Sequence, residues 1–452
     1  MKNKIIIYTI LISFIVGSCN DYLDVEPIGK LIPTKLDEFD RLLNGGDYSL
    51  HTTSDEESLF FSADDTDPLI TYLGDISSPD NLPIRYIKWE RDLFPLTASV
   101  ELWNKPYENI YTYNYVIENV KNAIGNDEEA RARITAEARI MRAYEYYILI
   151  NGFAKQYDIS TANTDLGVPI VTIPDVLAED NVRATVQEVY DLIIEDLNES
   201  VNDLPLTQEV ITRPDKATGY GLLARVYLQM NDYENAKTNA DLALNIQGTL
   251  SDYTSTSGYG LGSLYNEEQY MYRYFGSTYG FNAGTMSLEL QALYTADDIR
   301  SNGIYNIDWR GNLVKSFYTY SNHCVSVSEM YVIRAECNAR LAIASVQDVL
   351  DDLNMLRSHR IINNIELTTA DLPTKEDALV FALEERRREM IEKGTRWFDL
   401  KRLNKETAFS KTLTHEIDGE TLSLEPNSNK YVFPIPPETM NFNPNMEQNI
   451  RE

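Results

Sequence analysis

The sequence predicts a mainly α-helical protein in which paired antiparallel helices of tetratricopeptide type carry irregular, loop-rich insertions. Two observations support this fold class. Apolar residues recur at spacings of three and four over much of 101–246 and again over 325–360, which is the period of one helix face. In contrast, 34–100 is only weakly periodic, and 250–320 is rich in Gly, Ser, Thr and Tyr. The helices therefore alternate with two long irregular regions.

Residues 1–18 are typical of an export signal. Lys2 and Lys4 give a positive start, and the apolar run 5–16 is too short to span a bilayer as a stable helix. The run ends in two small residues before Cys19, which resembles a bacterial lipobox, in which cleavage precedes the cysteine and the cysteine is acylated. Several acyl chains would anchor the protein stably. The alternative is an ordinary secretory signal with a chance cysteine.

The first irregular region contains one predicted helix and one possible metal site. Leu36, Phe39 and Leu43 fit one face of a short helix that ends at Asn44. The acidic residues at positions 64, 65 and 67 could ligate calcium, although three acids in a loop are commonly a turn or a cap. The four histidines have no metal-ligand spacing. We therefore expect no metal and no cofactor.

Longer helices follow from position 101. One face carries Trp103 and Ile110, and the next helix carries an apolar face from 136 to 150. A third helix is predicted to begin after the capping box Thr185-x-x-Glu188.

The clearest repeat signal lies at 216–246. Its small and large residues follow tetratricopeptide spacing, with a turn at Asn231 and Asp232. One helix pair cannot bury its own apolar surface, so other pairs must stack on it. Predicted helices at 325–342 and 345–360 supply another pair, and the second starts with Ser345-x-x-Asp348.

The second irregular region separates these pairs. Tyr270, Tyr272 and Tyr274 alternate, which would put three rings on one side of an extended chain. A disulfide between Cys324 and Cys337 is an open alternative, but three cysteines do not form a disulfide framework. Cys337 is expected to pack inside a helix.

The segment 384–402 combines charge with apolar anchors. Glu384 and Arg388 stand four residues apart, which favours an ion pair on a helix. Gly394 lies where a helix requires a left-handed residue to end it. Arg396 and Asp399 alternate with apolar anchors after this glycine. This pattern predicts ion pairs that hold a helix against the body rather than a ligand site.

The charge balance excludes some function classes. With 70 acidic and 40 basic residues, the formal net charge is −30. Such a field repels a polymer of phosphates and disfavours adsorption to anionic lipid through a basic face. The 30 tyrosines supply flat rings with a hydrogen-bonding tip, which suit polar ligands and wet interfaces.

Several segments resemble the SusD/RagB family of outer-membrane nutrient-binding lipoproteins of Bacteroidetes. The segment EERRREMIEKGTRWFDLKRL is similar to the family's C-terminal signature, and the opening C-x-D-x-L-D-x-x-P at Cys19 is similar to its N-terminal one. Further similar segments are MYVIRAECNARLA, VLDDLNMLRSHR, the PIP sequence at 434–436 and the NP-x-x-x-QN ending at 443–449. Asp298-x-Arg300 resembles a family D-x-R that we interpret as structural. These segments span almost the whole mature chain.

The resemblance implies a SusD-like domain over 19–452, with an N-terminal part, 19–246, that carries tetratricopeptide-like helices and a SusD/RagB C-terminal part, 247–452. It also implies a lipid-anchored protein on the outer membrane, exposed at the cell surface. The implied partner is a SusC-like, TonB-dependent outer-membrane barrel, on which the lipoprotein sits as a lid.

We expect a non-catalytic protein that captures glycans or oligosaccharides for uptake. Rings stacking on sugar faces would come from the loops 65–100 and 250–315. The candidate ligand-binding residues are Trp89, Trp309, Tyr72, Tyr86 and Tyr279. Alternatives are a peptide ligand on the same scaffold or a glycoside hydrolase, which needs two facing carboxylates. No nucleophile elbow or metal cluster supports catalysis, and the long insertions disfavour a pure tetratricopeptide adaptor.

Overall fold

The computed structural model describes residues 32–44, 57–68, 78, 80–174, 182–208, 210–255, 267–273, 284–307, 313–315, 322–391, 393–417 and 419–452. Cys19, Tyr72, Tyr274, Tyr279 and Trp309 lie outside these residues. The fold of the described part is mainly helical, as predicted. No helix among the described residues has the length and apolar character needed to cross a bilayer.

The two helices predicted at 325–342 and 345–360 span Val327–Arg340 and Val346–Ser358 in the structure. The helices of the described part are α1 (Leu36–Leu43), α2 (Glu57–Ser62), α3 (Leu82–Ile87), α4 (Glu101–Asn119), α5 (Glu128–Phe153), α6 (Val186–Ser200), α7 (Lys216–Gln229), α8 (Tyr233–Ile246), α9 (Leu288–Gln291), α10 (Ile299–Ile304), α11 (Val327–Arg340), α12 (Val346–Ser358), α13 (Lys375–Glu389), α14 (Arg396–Leu403) and α15 (Pro437–Phe442).

The predicted helix starts are confirmed by their caps. At the start of α6, the Glu188 carboxylate accepts from the Thr185 backbone N–H at 2.8 Å, and the Thr185 hydroxyl accepts from the Glu188 N–H at 3.2 Å. The same reciprocal pair joins Ser345 and Asp348 before α12. Each box satisfies backbone donors that the first helical turn leaves without a partner.

The predicted tetratricopeptide-like pair is α7 and α8, which pack against each other. Asn231 takes the left-handed conformation, with φ of 61°, and Asp232 caps α8 by accepting from the Asn235 N–H at 3.1 Å. Gly221 lets α7 approach the chain before α11, because a Cβ there would lie 3.1 Å from a methyl group of Val325. As predicted, the pair does not stand alone: α8 also packs on α11, which packs on α12 and α13.

One large hydrophobic core joins both halves of the chain. Leu59, Trp103, Leu223, Trp397 and Phe433 all belong to it and are buried. The N-terminal and C-terminal parts are therefore packed on a shared core. A smaller cluster holds α1 against α4 and α5.

The strands form a small sheet and a hairpin. The strands are β1 (Thr66–Pro68), β2 (Gly284–Met286), β3 (Tyr305–Ile307), β4 (Leu313–Lys315), β5 (Leu413–Ile417) and β6 (Glu420–Leu424). The sheet has the order β1-β2-β4-β3 with antiparallel neighbours, and β5 pairs with β6.

The second irregular region is partly inserted into the body. Tyr270 and Tyr272 are both buried, and their backbone N–H groups donate to Val325 and Ile211 at 3.3 and 2.7 Å. Cys324 and Cys337 are buried free thiols, so the disulfide alternative is wrong for this structure. Cys337 lies inside α11, as predicted.

Candidate functional site

The sheet brings the two irregular regions together. Strand β1 comes from the 65–100 region, and β2, β3 and β4 come from the 250–315 region. Thr66 is opposite Met286 and Pro68 is opposite Gly284, which fixes the register between them. The two regions predicted to hold a ligand are therefore joined by backbone pairing.

The register also shows to which end of the sheet the segment of each candidate aromatic residue is attached. The chain leaves β1 at Pro68 toward Tyr72 and reaches β2 at Gly284 from the segment that contains Tyr279. Because Pro68 and Gly284 are paired, both segments are attached at the same end of the sheet. Trp309 belongs to the connection between β3 and β4, which is attached at the opposite end because Thr285 pairs with Val314 in antiparallel orientation.

Trp89 and Tyr86 lie in the hydrophobic core. Trp89 is 2% exposed, donates its indole N–H to the Ser62 carbonyl at 3.0 Å and stacks on His415 with ring centroids 4.3 Å apart. Tyr86 is 4% exposed, with its ring edge-on to Phe433 at 5.6 Å. Stacking on a ligand requires an exposed ring face, and neither residue has one here. The burial of the two rings was not predictable from local sequence, because His415 lies on β5 and Phe433 near the C-terminus.

Two of the three acidic residues considered for calcium, Asp64 and Asp65, are bound to protein cations instead. Asp64 accepts from Arg396 at 2.7 and 2.9 Å and from the Lys411 ammonium at 2.7 Å. Asp65 accepts from the Arg387 Nε at 2.6 Å. Although burial alone would raise the pKa of Asp64, the charges of Arg396 and Arg387 outweigh it and hold the pKa well below its usual range. The described residues contain no cluster of three or more His, Cys, Asp or Glu suited to a metal ion.

An extended ion-pair network continues from this cluster along α13. Arg300 pairs with Asp298 at 2.7 Å and also reaches Glu385 and Glu389 of α13 at 2.7 and 2.9 Å. Arg360 joins the same Glu389 at 3.0 Å. The structural interpretation of Asp298-x-Arg300 is therefore confirmed.

The network holds residues on both sides of the undescribed stretch 274–283. Arg360 also binds Glu268 at 2.7 Å, before this stretch, and Asp298 and Arg300 lie after it. The run after α13 behaves in the same way: Asp399 accepts from Arg386 and Arg402, each at 2.8 Å. The network thus holds the described residues on both sides of this stretch to α13, directly or through Arg360.

One predicted pair is weaker than expected. Arg388 lies 4.0 Å from the half-exposed Glu384 but 2.7 Å from the buried Glu385. Arg388 pairs more closely with Glu385, three residues earlier, because both side chains are buried together. Gly394 has the predicted left-handed conformation, with φ of 70°, but α13 already ends at Glu389, so the glycine lies in the turn before α14 and does not end the helix.

The family comparisons agree with this architecture. A family model described as SusD-like, starch-binding and associating with the outer membrane matches residues 21–228, and a SusD family model matches residues 327–451. The chain belongs to the SusD/RagB family. The two matched ranges cover most of the chain and flank the second irregular region.

Curated SusD-like relatives are distant. SusD-like protein P2 of Formosa agariphila is 28% identical over 254 residues, which is 54% of this chain and 46% of that protein. A SusD-like protein of Bacteroides ovatus is 25% identical over 59% of this chain and 47% of its own length. The chain thus spans about half the length of these two relatives. SusD-like protein P38 of Formosa agariphila is 23% identical with 99% of both chains covered.

Solved structures share the fold at low identity. A SusD superfamily protein from Bacteroides thetaiotaomicron has a TM-score of 0.76 at 19% identity, covering 92% of this chain and 100% of that one. A SusD-like carbohydrate binding protein from Bacteroides vulgatus has a TM-score of 0.69 at 20% identity, with 91% and 97% covered. At such identity the likeness concerns the SusD/RagB fold alone.

Proposed function

We propose that this SusD/RagB protein is a non-catalytic, surface-exposed lipoprotein that captures oligosaccharides. It would pass them to a SusC-like, TonB-dependent transporter in the outer membrane. Its family membership and the carbohydrate-binding description of one structural neighbour support this function. The observation that carries it is the pairing of β1 with β2, which joins the two irregular regions of suitable composition, while ion pairs of Arg300 hold the second region to α13.

The proposed ligand-contact residues are Tyr72, Tyr279 and Trp309, because Trp89 and Tyr86 are buried in the core. Replacing a stacking ring by alanine should weaken oligosaccharide binding by about 1–3 kcal/mol. Titration calorimetry of the three single variants, with the best ligand from an oligosaccharide panel, measures this loss. Tyr111→Ala is the matched control, because Tyr111 is 41% exposed on α4. Unchanged affinity in all three variants would contradict the proposed site.

The absence of catalysis is part of the proposal. A glycosidase needs a carboxylic acid whose pKa is raised, beside an ionised partner. In the ion-pair network the opposite holds for Glu385: burial would raise its pKa, but Arg300 and Arg388 lower it to about 2. Incubation with candidate glycans followed by reducing-end detection should give no product. Release of new reducing ends by the pure protein would contradict this assignment.

A peptide ligand is the competing outcome, because a net charge of −30 would attract cationic peptides. A ligand that binds only the native state raises the melting temperature. We expect a shift with an oligosaccharide and none with a tryptic peptide digest. The reverse result would assign the site to peptides.

Membrane attachment is proposed to occur through Cys19. Cys19→Ser should release the protein from the outer-membrane fraction without changing its melting temperature, since the lipid would lie outside the fold. Fractionation of cells that express wild type and variant tests this. A variant that remains with the membrane would contradict the lipid anchor.

A further inference from the structure

A cleft away from the sheet separates the loop after α3 from the C-terminal segment. Its volume is about 590 Å³, within the range of small-molecule sites. One wall includes Phe94 and the exposed Leu96, and the other includes Pro434, Ile435 and Ile450. Arg451 also lines the cleft. The cleft therefore combines apolar walls with a guanidinium.

Arg451 is buried without a counter-charge. Its side chain is 6% exposed, and its Nε and Nη1 atoms have no hydrogen-bond partner. Within the described part of the chain, no carboxylate lies within ion-pair distance of it, and the following Glu452 is exposed. Burial lowers the pKa of Arg451 to about 10. A desolvated cation in this state is costly unless an anion or several oxygens surround it.

Arg183 is a second buried arginine, and its guanidinium has hydrogen-bond acceptors. Arg183 also reaches the C-terminal segment, and it donates to surrounding backbone and side-chain oxygens at 2.7–3.3 Å, including Asn449 Oδ1. Those oxygens give its guanidinium donors hydrogen-bond partners, although burial still lowers the pKa of Arg183 to about 10. Arg451 has no equivalent set of oxygens among the described residues.

Each of the other charged side chains at the cleft lies beside a residue of opposite charge. Arg85 lies 3.1 Å from Glu90, and the exposed Arg91 is followed by the exposed Asp92. Each pair contributes little net charge. Arg451 is then the uncompensated cation, and it lies between apolar walls.

We propose that this cleft binds the carboxylate of a uronic acid, with Arg451 as the anion-binding residue. The proposal rests on the glycan-binding function above and adds a substrate class to it, at a second site. A planar guanidinium matches a carboxylate, and the charge-assisted bond strengthens where water is excluded. The apolar walls suit the apolar face of a sugar ring. The net charge of −30 repels long polyanions, which favours a ligand with one carboxylate.

The test compares two ligands that differ at one group. Methyl β-glucuronide and methyl β-glucoside are titrated calorimetrically into the mature protein at low ionic strength and pH 7. We expect the glucuronide to bind at least tenfold more tightly. Arg451→Gln should remove that preference, while Arg41→Gln, which removes the same charge from the exposed face of α1, should retain it. Asp92→Asn should tighten glucuronide binding several-fold.

A second variant covers the case in which Arg451→Gln does not fold. Leu96 is 83% exposed at the cleft, so Leu96→Glu should fold normally and weaken glucuronide binding by repulsion. Equal binding of the two glycosides, or glucuronide binding that persists in Leu96→Glu and in a folded Arg451→Gln, would overturn the proposal. Equal binding of acetylglycine would overturn its saccharide part. Neutral oligosaccharide binding lost in the Tyr72, Tyr279 and Trp309 variants tests the proposed function separately.

Discussion

Two helix interfaces in this protein are built from opposite chemistry. The apolar interface between α7 and α8 closes on small residues such as Ala224, Ala236 and Ala240, all fully buried. The charged interface of α13 instead buries five consecutive charged residues, from Glu385 to Glu389, against arginines and acids of other segments. Both interfaces are closely packed, but they are sensitive to different changes.

The difference lies in what each interface specifies. Small apolar side chains accept any neighbour of the right volume, so the α7–α8 interface depends on shape. A buried ion pair accepts only its own partner, because removing one member leaves the other charged and desolvated. The charged interface and its ion-pair partners therefore hold Glu268, Asp298 and Asp64 in place. These residues lie in or next to the two irregular regions.

The largest effect is expected from Asp399→Ala. Two buried guanidinium groups, Arg386 and Arg402, would lose a partner at 2.8 Å. We expect the free energy of unfolding to fall by about 3–5 kcal/mol. Denaturant titration measures it, with the exposed Asp37→Ala as control, expected within about 0.5 kcal/mol. A loss no larger than that of the control would remove the distinction between the two interfaces.

Glu385→Gln tests the charged interface through its pH dependence. Arg300 and Arg388 overcome the effect of burial and lower the pKa of Glu385 from its ordinary 4.5 to about 2. The carboxylate therefore stabilises the fold above pH 4.5 by on the order of 3 kcal/mol, and this contribution disappears as the pH falls through 2. The difference in unfolding free energy between wild type and variant should shrink over that interval. A difference independent of pH would contradict the shifted pKa.

Ala236→Leu tests the apolar interface. Ala236 is fully buried between α7 and α8, so added methyl groups must displace neighbouring side chains. We expect a loss of about 1–3 kcal/mol with no change in pH dependence. Thermal unfolding at pH 7 and pH 4 measures both. The control is Leu242→Ala on the exposed face of the same helix, which should change stability little. Equal losses at both positions would show that the interface is not tightly packed.

The smallest effect is expected from Glu384→Gln. Glu384 is half-exposed and lies 4.0 Å from Arg388, so water screens the pair. The loss should stay below about 0.5 kcal/mol. Comparison with Glu385→Gln in the same assay separates a surface charge from a buried one on adjacent residues. A loss near that of Glu385→Gln would mean that the predicted Glu384–Arg388 pair, and not Arg388–Glu385, carries the stability.

Local signals in the sequence determined most of the helices. The capping boxes before α6 and α12 mark helix starts through hydrogen bonds within a few residues. The small-residue spacing of 216–246 predicted the α7–α8 pair for the same reason, since a helix face is a local period. The structural role of Asp399 was also predictable, because a balanced mixture of arginine and glutamate beside apolar anchors favours buried ion pairs.

Only the tertiary structure decided which residues meet across long distances. Trp89 in a short loop looks like a ligand contact until His415, more than 300 positions away, covers one face of its ring. The pairing of β1 with β2 and the choice of Arg396 as the partner of Asp64 also depend on segments that are remote in sequence. The two guanidinium nitrogens of Arg451 that lack hydrogen-bond partners are likewise recognised only in the packed structure. These facts come from chain packing, which a local pattern of residues does not encode.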